Sequence, residues 1–146
     1  MFEIKEINPE LTYEIRHIVL RPHQTIRDCM YETDLEVGGF HIGAFYNGKL
    51  ISVVSFCIQN NSEFSSEKQY RLRAMATLPE FRKLGAGREL VNYGESIIKA
   101  RDYDILWCNG RTTAQEYYER LGFKPYGSIF GYPPTGPHIV MYKRLR

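Results

Sequence analysis

"ATLPEFRKLGAGRELVNYG", residues 76–94, decides how this chain of 146 residues is built. An apolar, strand-like run stops at Pro79, two basic residues follow, and Gly85 and Gly87 stand where a helix should begin. A helix start favours a capping side chain, and glycine inside a helix costs stability. Two glycines there point to something that needs close access to the backbone. The bare N–H groups and positive dipole end of a helix N-terminus would offer that access to a phosphate. A merely flexible loop is the competing reading of the same residues.

Length and composition set the frame. The chain fits one domain, 1–146, with enough residues for a proper core and too few for a second. Hydrophobic residues at 43% and charged residues at 25% are those of an ordinary globular protein. No run of about 18 apolar residues marks a membrane span. The opening "MFEIKEINPEL" carries acidic residues where a secretory signal would be basic and then apolar, so a cytoplasmic location is expected. Cys29, Cys57 and Cys108 are odd in number and irregular in spacing, which suggests buried thiols rather than disulfides or a zinc site, and no metal is expected. A formal charge of +2 with interspersed signs argues against a nucleic-acid partner. Eleven tyrosines are the one unusual count, and they suit a polar-lined pocket as well as strands.

Outward from the glycines, the pattern alternates strands and helices. "FEIKEI" has period two, and Asn8 with Pro9 then caps a helix through "ELTYEIRHIVL", ended by Pro22. A short helix is expected over residues 25–31 and a loop over the acidic "ETDLEVGG". "FHIGAFYNGKLISVVSFCI" reads as a hairpin turned by Asn47-Gly48, the pair that a type I′ turn favours. "QYRLRAMAT" is the next antiparallel candidate. Leu90, Val91, Ile97 and Ile98 recur at helical spacing beyond the glycines. "YDILWCN" follows as a buried strand, "TTAQEYYERLG" as a helix closed by Gly122, and "KPYGSIF" and "HIVMYKRL" as two last strands. This order predicts an α/β (α+β) fold, a mixed and mostly antiparallel sheet with helices on its faces.

A Walker phosphate loop would need a lysine followed by serine or threonine, and a dinucleotide fingerprint a third glycine where Leu90 stands, so both fail. What remains is Arg82-x-x-Gly85-x-Gly87 after a strand and before a helix. With "YRLRAMATLPEFRKLGAG" at 70–87 and "WCNGRTTAQEYYERLGF" at 107–123, the chain resembles the GCN5-related N-acetyltransferase (GNAT) family, whose order of elements matches nearly the whole sequence. Leu20-Arg21-Pro22 and Gly136-Pro137-His138 are similar to a small bacterial subgroup. Gly110 departs from the alanine that many relatives carry after the asparagine, a small-for-small change.

The resemblance implies a protein that binds acetyl-CoA as acyl donor and transfers acetyl directly to a primary amine, without a covalent enzyme intermediate. It implies that backbone N–H groups of Arg82, Lys83, Leu84, Gly85, Ala86, Gly87 and Arg88 wrap the pyrophosphate, with Arg82, Lys83 and Arg88 adding charge. Met75 and Thr77 would lend main-chain groups to the pantetheine amides, Asn109 a side chain, and a main-chain N–H at Met75 or Ala76 would face the thioester oxygen. Tyr118 matches the family's tyrosine that protonates the departing thiolate. Tyr117 should point elsewhere and pack. Cys108 is read as core.

For the base, the resemblance places His138 in the segment that borders the acceptor site, and histidine as a residue type is suited to proton transfer near neutral pH, with His41, Asp34 and Glu36 as rivals. Arg21, Arg71 and Arg73 are candidates for gripping an acceptor carboxylate, and Arg21, Asp34, His41 and Arg73 form the expected substrate-binding set. The expected partner is a small-molecule amine such as an amino acid, with no nucleic acid and no membrane, and a homodimer is compatible with this. The alternatives are acetylation of a protein lysine or N-terminus, and a catalytically silent CoA-binding sensor.

Overall fold

In the computed structural model, residues 2–133 and 136–146 are described. Seven strands form one sheet in the order β1-β2-β3-β4-β5-β7-β6. They are β1 (Glu3–Ile7), β2 (Phe40–Tyr46), β3 (Lys49–Ile58), β4 (Gln69–Thr77), β5 (Ile105–Arg111), β6 (Lys124–Gly131) and β7 (Pro137–Arg144). Every neighbouring pair is antiparallel except β4 and β5, which run parallel. Parallel neighbours require a crossover, supplied here by the glycine-started helix α2 (Ala86–Ala100). The Asn47-Gly48 turn has positive φ at both residues, 50° and 81°, as a type I′ turn demands.

The two faces of the sheet carry different helices. Leu90, Val91, Gly94 and Ile98 of α2 are buried and pack against the face that includes Val54, Phe56 and Leu72. At Gly94 a Cβ would collide with the Phe56 ring, so the helix lies as close to the sheet as its backbone permits. The opposite face, with Val53 and Ala76, takes Ile15, Val19 and Leu20 from the first helical segment. That segment is less regular than the sequence pattern suggests, passing from a 3-10 turn (Pro9–Thr12) through α1 (Tyr13–Ile15) into a π turn (Arg16–Leu20). The expected short helix is a 3-10 turn (Ile26–Cys29), and the expected loop contains another (Glu32–Leu35).

β4 does not alternate evenly. Ala74 has φ of 53°, left-handed, and the register against β3 slips between Val53 and Ser55, so that Ala74 and Met75 together oppose Val54. The extra residue is a β-bulge, which kinks the strand and raises its twist. It also changes which side chains face which way. Arg71 and Arg73 lie on the first-helix face before the bulge, and after it that face receives Ala76 rather than Met75. Shortly before the bulge β4 parts from β5. Pairing between described residues of these two strands stops at Arg71 and Trp107, although both strands continue.

Asp34 and His41, expected at the acceptor site, lie instead in a buried network beneath the first helical segment. Arg16, fully buried, donates to both Asp34 oxygens at 2.8 and 2.9 Å, to the Cys29 carbonyl at 2.7 Å and to Ser55 Oγ at 2.8 Å. Because Ser55 accepts from Arg16, its hydroxyl donates to His41 Nδ1 at 2.7 Å, while His41 Nε2–H donates to the Asp34 carbonyl at 3.0 Å. Both imidazole nitrogens are thereby engaged in holding the 3-10 turn against β2 and β3. Neither residue lines either of the two larger cavities, and the hydrogen bonds they make hold the fold. Glu36, the remaining acidic candidate, lies just past the same turn with its backbone N–H on the Thr33 carbonyl.

Burial by itself would raise the Asp34 carboxyl. Hydrogen bonds from Arg16 and the Tyr31 N–H, with the Arg16 charge, outweigh it and hold the group below the ordinary carboxylate range. A depressed folded-state value stabilises the fold fully above the unfolded value of about 3.9 and loses that contribution as pH falls through the lower folded value. Replacing Asp34 by Asn strands a buried guanidinium and should cost roughly 3–5 kcal/mol. Urea denaturation at several pH values checks both statements: the gap between wild type and Asp34→Asn is wide at pH 7 and narrows below about pH 4.

Candidate active site

The segment between β4 and α2 turns tightly. A 3-10 turn (Pro79–Phe81) brings the Phe81 N–H to the Leu78 carbonyl at 2.9 Å. Lys83 and Gly85 then adopt left-handed φ of 70° and 88°. Gly85 is the N-cap of α2 and offers no side-chain cap, so the first amides of the helix have no intrahelical partner. Left-handed residues among right-handed ones gather successive N–H groups into an anion-binding concavity. A Cβ on Gly85 would meet no protein atom within 4 Å, so the concavity opens outward.

This loop forms one wall of a cavity of about 580 Å³. Met75, Ala76 and Thr77 of β4 form a second wall, and Ala114, Tyr117, Tyr118 and Leu121 of the next helical segment close it. That segment is a 3-10 turn (Thr112–Ala114) leading into α3 (Gln115–Arg120). Arg82, Lys83, Gly85, Ala86, Gly87 and Arg88 all line the cavity, whereas Leu84 does not and is exposed. Arg88 is tied up in part, its Nη2 donating to the Arg120 carbonyl at 3.0 Å and joining the start of α2 to the end of α3. Tyr117 corrects the sequence expectation, since it lines this cavity and its hydroxyl lies where a Cβ on Gly87 would project.

A second cavity, of about 460 Å³, opens on the other side of the parted strands. Arg71, Arg73 and Met75 of β4 line it, as do Cys108, Asn109 and Arg111 of β5, together with Leu20, Arg21, Tyr31, Tyr132 and His138. Asn109, expected beside the donor, thus lies on this side. Met75, Arg82, Ala114 and Tyr118 belong to both linings, so the cavities adjoin there. Gly110 matters at this junction, because a Cβ on it would sit 3.1 Å from the Tyr118 ring and 3.2 Å from Met141. Its lack of a side chain lets the Tyr118 ring lie close against β5.

The electrostatics of the two ends differ. Burial, with smaller contributions from Cys108 and Tyr117, raises the Tyr118 phenol well above its usual range, so it stays protonated at neutral pH. Burial likewise pushes the Cys108 thiol up to about 12, which leaves no thiolate for nucleophilic work. At the other end the Tyr132 phenol is lowered, first by a hydrogen bond from Arg71 and then by the charges of Arg71, Arg73 and Arg21. That bond, from Arg71 Nη2, spans 3.2 Å. His138 is buried, its Nδ1–H donating to the Gly136 carbonyl at 2.9 Å, which makes Nε2 the basic nitrogen of the neutral ring. Its ring centroid is 4.9 Å from that of Tyr132. Tyr31, Arg111 and Tyr132 escaped the sequence reading, and only the high tyrosine count hinted at two of them.

The acetyltransferase (GNAT) family model matches residues 4–123. The chain is 46% identical over 146 residues to the "Uncharacterized N-acetyltransferase YitI" of Bacillus subtilis (strain 168), covering all of this chain and 98% of that protein. Among solved structures, an aminoglycoside 6'-N-acetyltransferase complexed with coenzyme A superposes with a TM-score of 0.79 at 15% identity, over 99% of this chain and 97% of that one. A GNAT-family acetyltransferase from Staphylococcus aureus Mu50 gives 0.77 at 18% identity over the full length of both chains. At such identities the structural likeness concerns the fold.

Proposed function

The chain belongs to the GNAT family and is an N-acetyltransferase, and from that premise we propose that it moves acetyl from acetyl-CoA to the primary amine of a small metabolite such as an amino acid. The observation that carries this reading is the shared wall of the two cavities, Met75, Arg82, Ala114 and Tyr118. A donor entering from the glycine loop and an amine entering from the arginine side would meet there. The donor's pyrophosphate takes the N–H groups from Arg82 to Arg88, and its pantetheine arm runs between the parted strands beside Met75, Ala76 and Thr77.

Transfer proceeds by direct attack of the amine on the thioester carbonyl. The ammonium first gives one proton to a base, for which His138 is our assignment through Nε2. The C–N bond forms, negative charge grows on the carbonyl oxygen, and a backbone N–H at Met75 or Ala76, beside the bulge, stabilises it. As the C–S bond breaks, the buried Tyr118 phenol donates to the departing sulfur. The nitrogen's second proton leaves with the collapse to the amide and restores the phenol. One proton per turnover reaches solvent, so the balance closes.

Modification of a protein lysine or N-terminus would need a groove open to a chain. The acceptor cavity is instead lined from several directions, by β4, β5, Tyr31, Tyr132 and His138, which favours a small acceptor. Thiol release from acetyl-CoA over a panel of amino acids, other small amines and peptides is the test. Turnover with peptides alone would overturn the small-amine reading, and CoA binding without any thiol release would identify a sensor.

Three substitutions probe the assigned parts. Gly85→Val should weaken CoA binding at least about tenfold with the fold retained, because a β-branched residue resists left-handed φ while the space around it is open. Calorimetry beside circular dichroism reads both. Tyr118→Phe should keep CoA affinity yet lower turnover by about ten- to a thousandfold, and an acyl donor with a more acidic thiol should recover part of the loss. His138→Ala should depress transfer more at pH 7 than at pH 9, where more of the acceptor amine is already neutral. An equal loss at both pH values would remove His138 as the base.

A further inference from the structure

The acceptor cavity is walled by positive charge, and the Asp28 charge that acts on Arg21 comes from outside the lining. Arg21, Arg71, Arg73, Arg82 and Arg111 line it, and no Asp or Glu does so among the described residues. The hydrogen-bond partners of Arg21, Arg71, Arg73 and Arg111 are neutral, that of Arg111 being the Leu20 carbonyl at 3.4 Å. Arg21 donates to Gln24 Oε1 at 2.8 Å and to the Tyr31 hydroxyl at 3.3 Å. Arg73 donates to Thr33 Oγ1 at 3.2 Å and lies 4.5 Å from the centre of the Tyr31 ring. Arg71 donates to Gln59 Oε1 at 3.1 Å and to Tyr132. Elsewhere the protein does neutralise a buried guanidinium, as the Arg16–Asp34 pair demonstrates. Like charges in a partly dry site repel, and such an arrangement is tolerated where a ligand supplies the missing charge. Burial, and then the neighbouring Arg71 charge, lower the Arg73 guanidinium's hold on its proton, the direction that uncompensated positive charge imposes.

The arginines fall into two groups. Arg21 and Arg73 flank Tyr31 on one side, while Arg71 leans the other way, over Trp107 and toward Tyr132. Residues two apart on a strand share a face and are separated by about 6.5–7 Å, so Arg71 and Arg73 make two anchoring points rather than one. We propose that the acceptor is a small primary amine bearing two anionic groups, one held by Arg73 with Arg21 and the other by Arg71. This rests on the acetyltransferase reading and narrows it. Each group is a carboxylate or a phosphate, since a guanidinium fork serves either. Polycationic amines are disfavoured by the same charges, so the aminoglycoside named for one structural neighbour is the wrong class of acceptor here.

The test compares kcat/KM at fixed acetyl-CoA for matched pairs: L-glutamate against L-glutamine, O-phospho-L-serine against L-serine, and spermidine and tobramycin as polycations. The dianionic member of at least one pair should be favoured by about tenfold or more, the factor that one hydrogen bond to a charged group supplies, and the preference should shrink with added salt. Which pair discriminates identifies carboxylate or phosphate. Arg71→Gln and Arg73→Gln should each erase the preference chiefly through KM, with calorimetric CoA affinity reporting that the variants fold. Equal use of charged and neutral partners, or better use of a polycation, would overturn the dianion while leaving the acetyltransferase intact. If no amine releases thiol, calorimetry of glutarate and O-phospho-L-serine with the CoA-bound protein still decides: binding of either, lost in Arg73→Gln, supports the site, and binding of neither rejects it.

Discussion

The left-handed residue at Ala74 is the constraint on which the working parts depend. A strand that kept strict alternation would continue beside β5, and the sheet would close where the two cavities now lie. Pairing ends at Arg71 and Trp107, just before the extra residue in β4, and from there the parallel neighbours diverge around a wedge. The bulge also sets apart Arg71 and Arg73 before it, which line the arginine-rich cavity, from Ala76 behind it, which packs with Leu20 and Val19. Ala74, Lys83 and Gly85 all have left-handed backbones, and all lie in or next to the wedge. Such strain persists where the surrounding structure holds it, and the surrounding strands and helices are regular enough to do so.

The arginines serve two purposes, and their partners tell these apart. Arg16 is buried with a bidentate carboxylate and two further acceptors, so its charge is matched and it ties three chain segments together. Arg71 is also buried, and Arg21 and Arg73 are half-buried, around a cavity that no carboxylate lines among the described residues. A charge already matched has little left to give a ligand, whereas an unmatched one gains more from binding an anion than it has gained from the fold. The two tyrosines at the ends of the site follow the same logic. Tyr118, buried near a thiol and another phenol, is held protonated, and Tyr132, among guanidiniums, is pushed the opposite way.

Local chemistry made much of the architecture readable. Asn47-Gly48 turns a hairpin because both residues tolerate positive φ. Pro79 ends a strand and Gly85 starts a helix for reasons confined to those residues, and the spacing of Leu90, Val91 and Ile98 defines a helix face before any partner is known. The loop 82–88 was therefore recognisable, and the order of elements with it. Less legible are segments whose conformation is set by distant contacts. The acidic turn Glu32–Leu35 looks like surface loop, yet Asp34 is drawn inward by Arg16, 18 positions away in the chain. His41 looked available because a lone histidine carries no mark of the serine and carbonyl that occupy it.

The sequence by itself thus determined most of the elements, their order, the glycine loop before α2 and the family, because each is written in short-range patterns of turn residues and hydrophobic spacing. Only the tertiary structure decided which titratable groups face a cavity and which are locked in the core. It alone assigned Tyr117 to a cavity wall and Tyr132 to the company of Arg71. It alone located the bulge, since alanine at position 74 is an unremarkable strand residue until its left-handed φ and the slip against β3 are known. A side chain's protonation and reach depend on neighbours supplied by other segments of the chain, and those neighbours are fixed by packing rather than by local spacing.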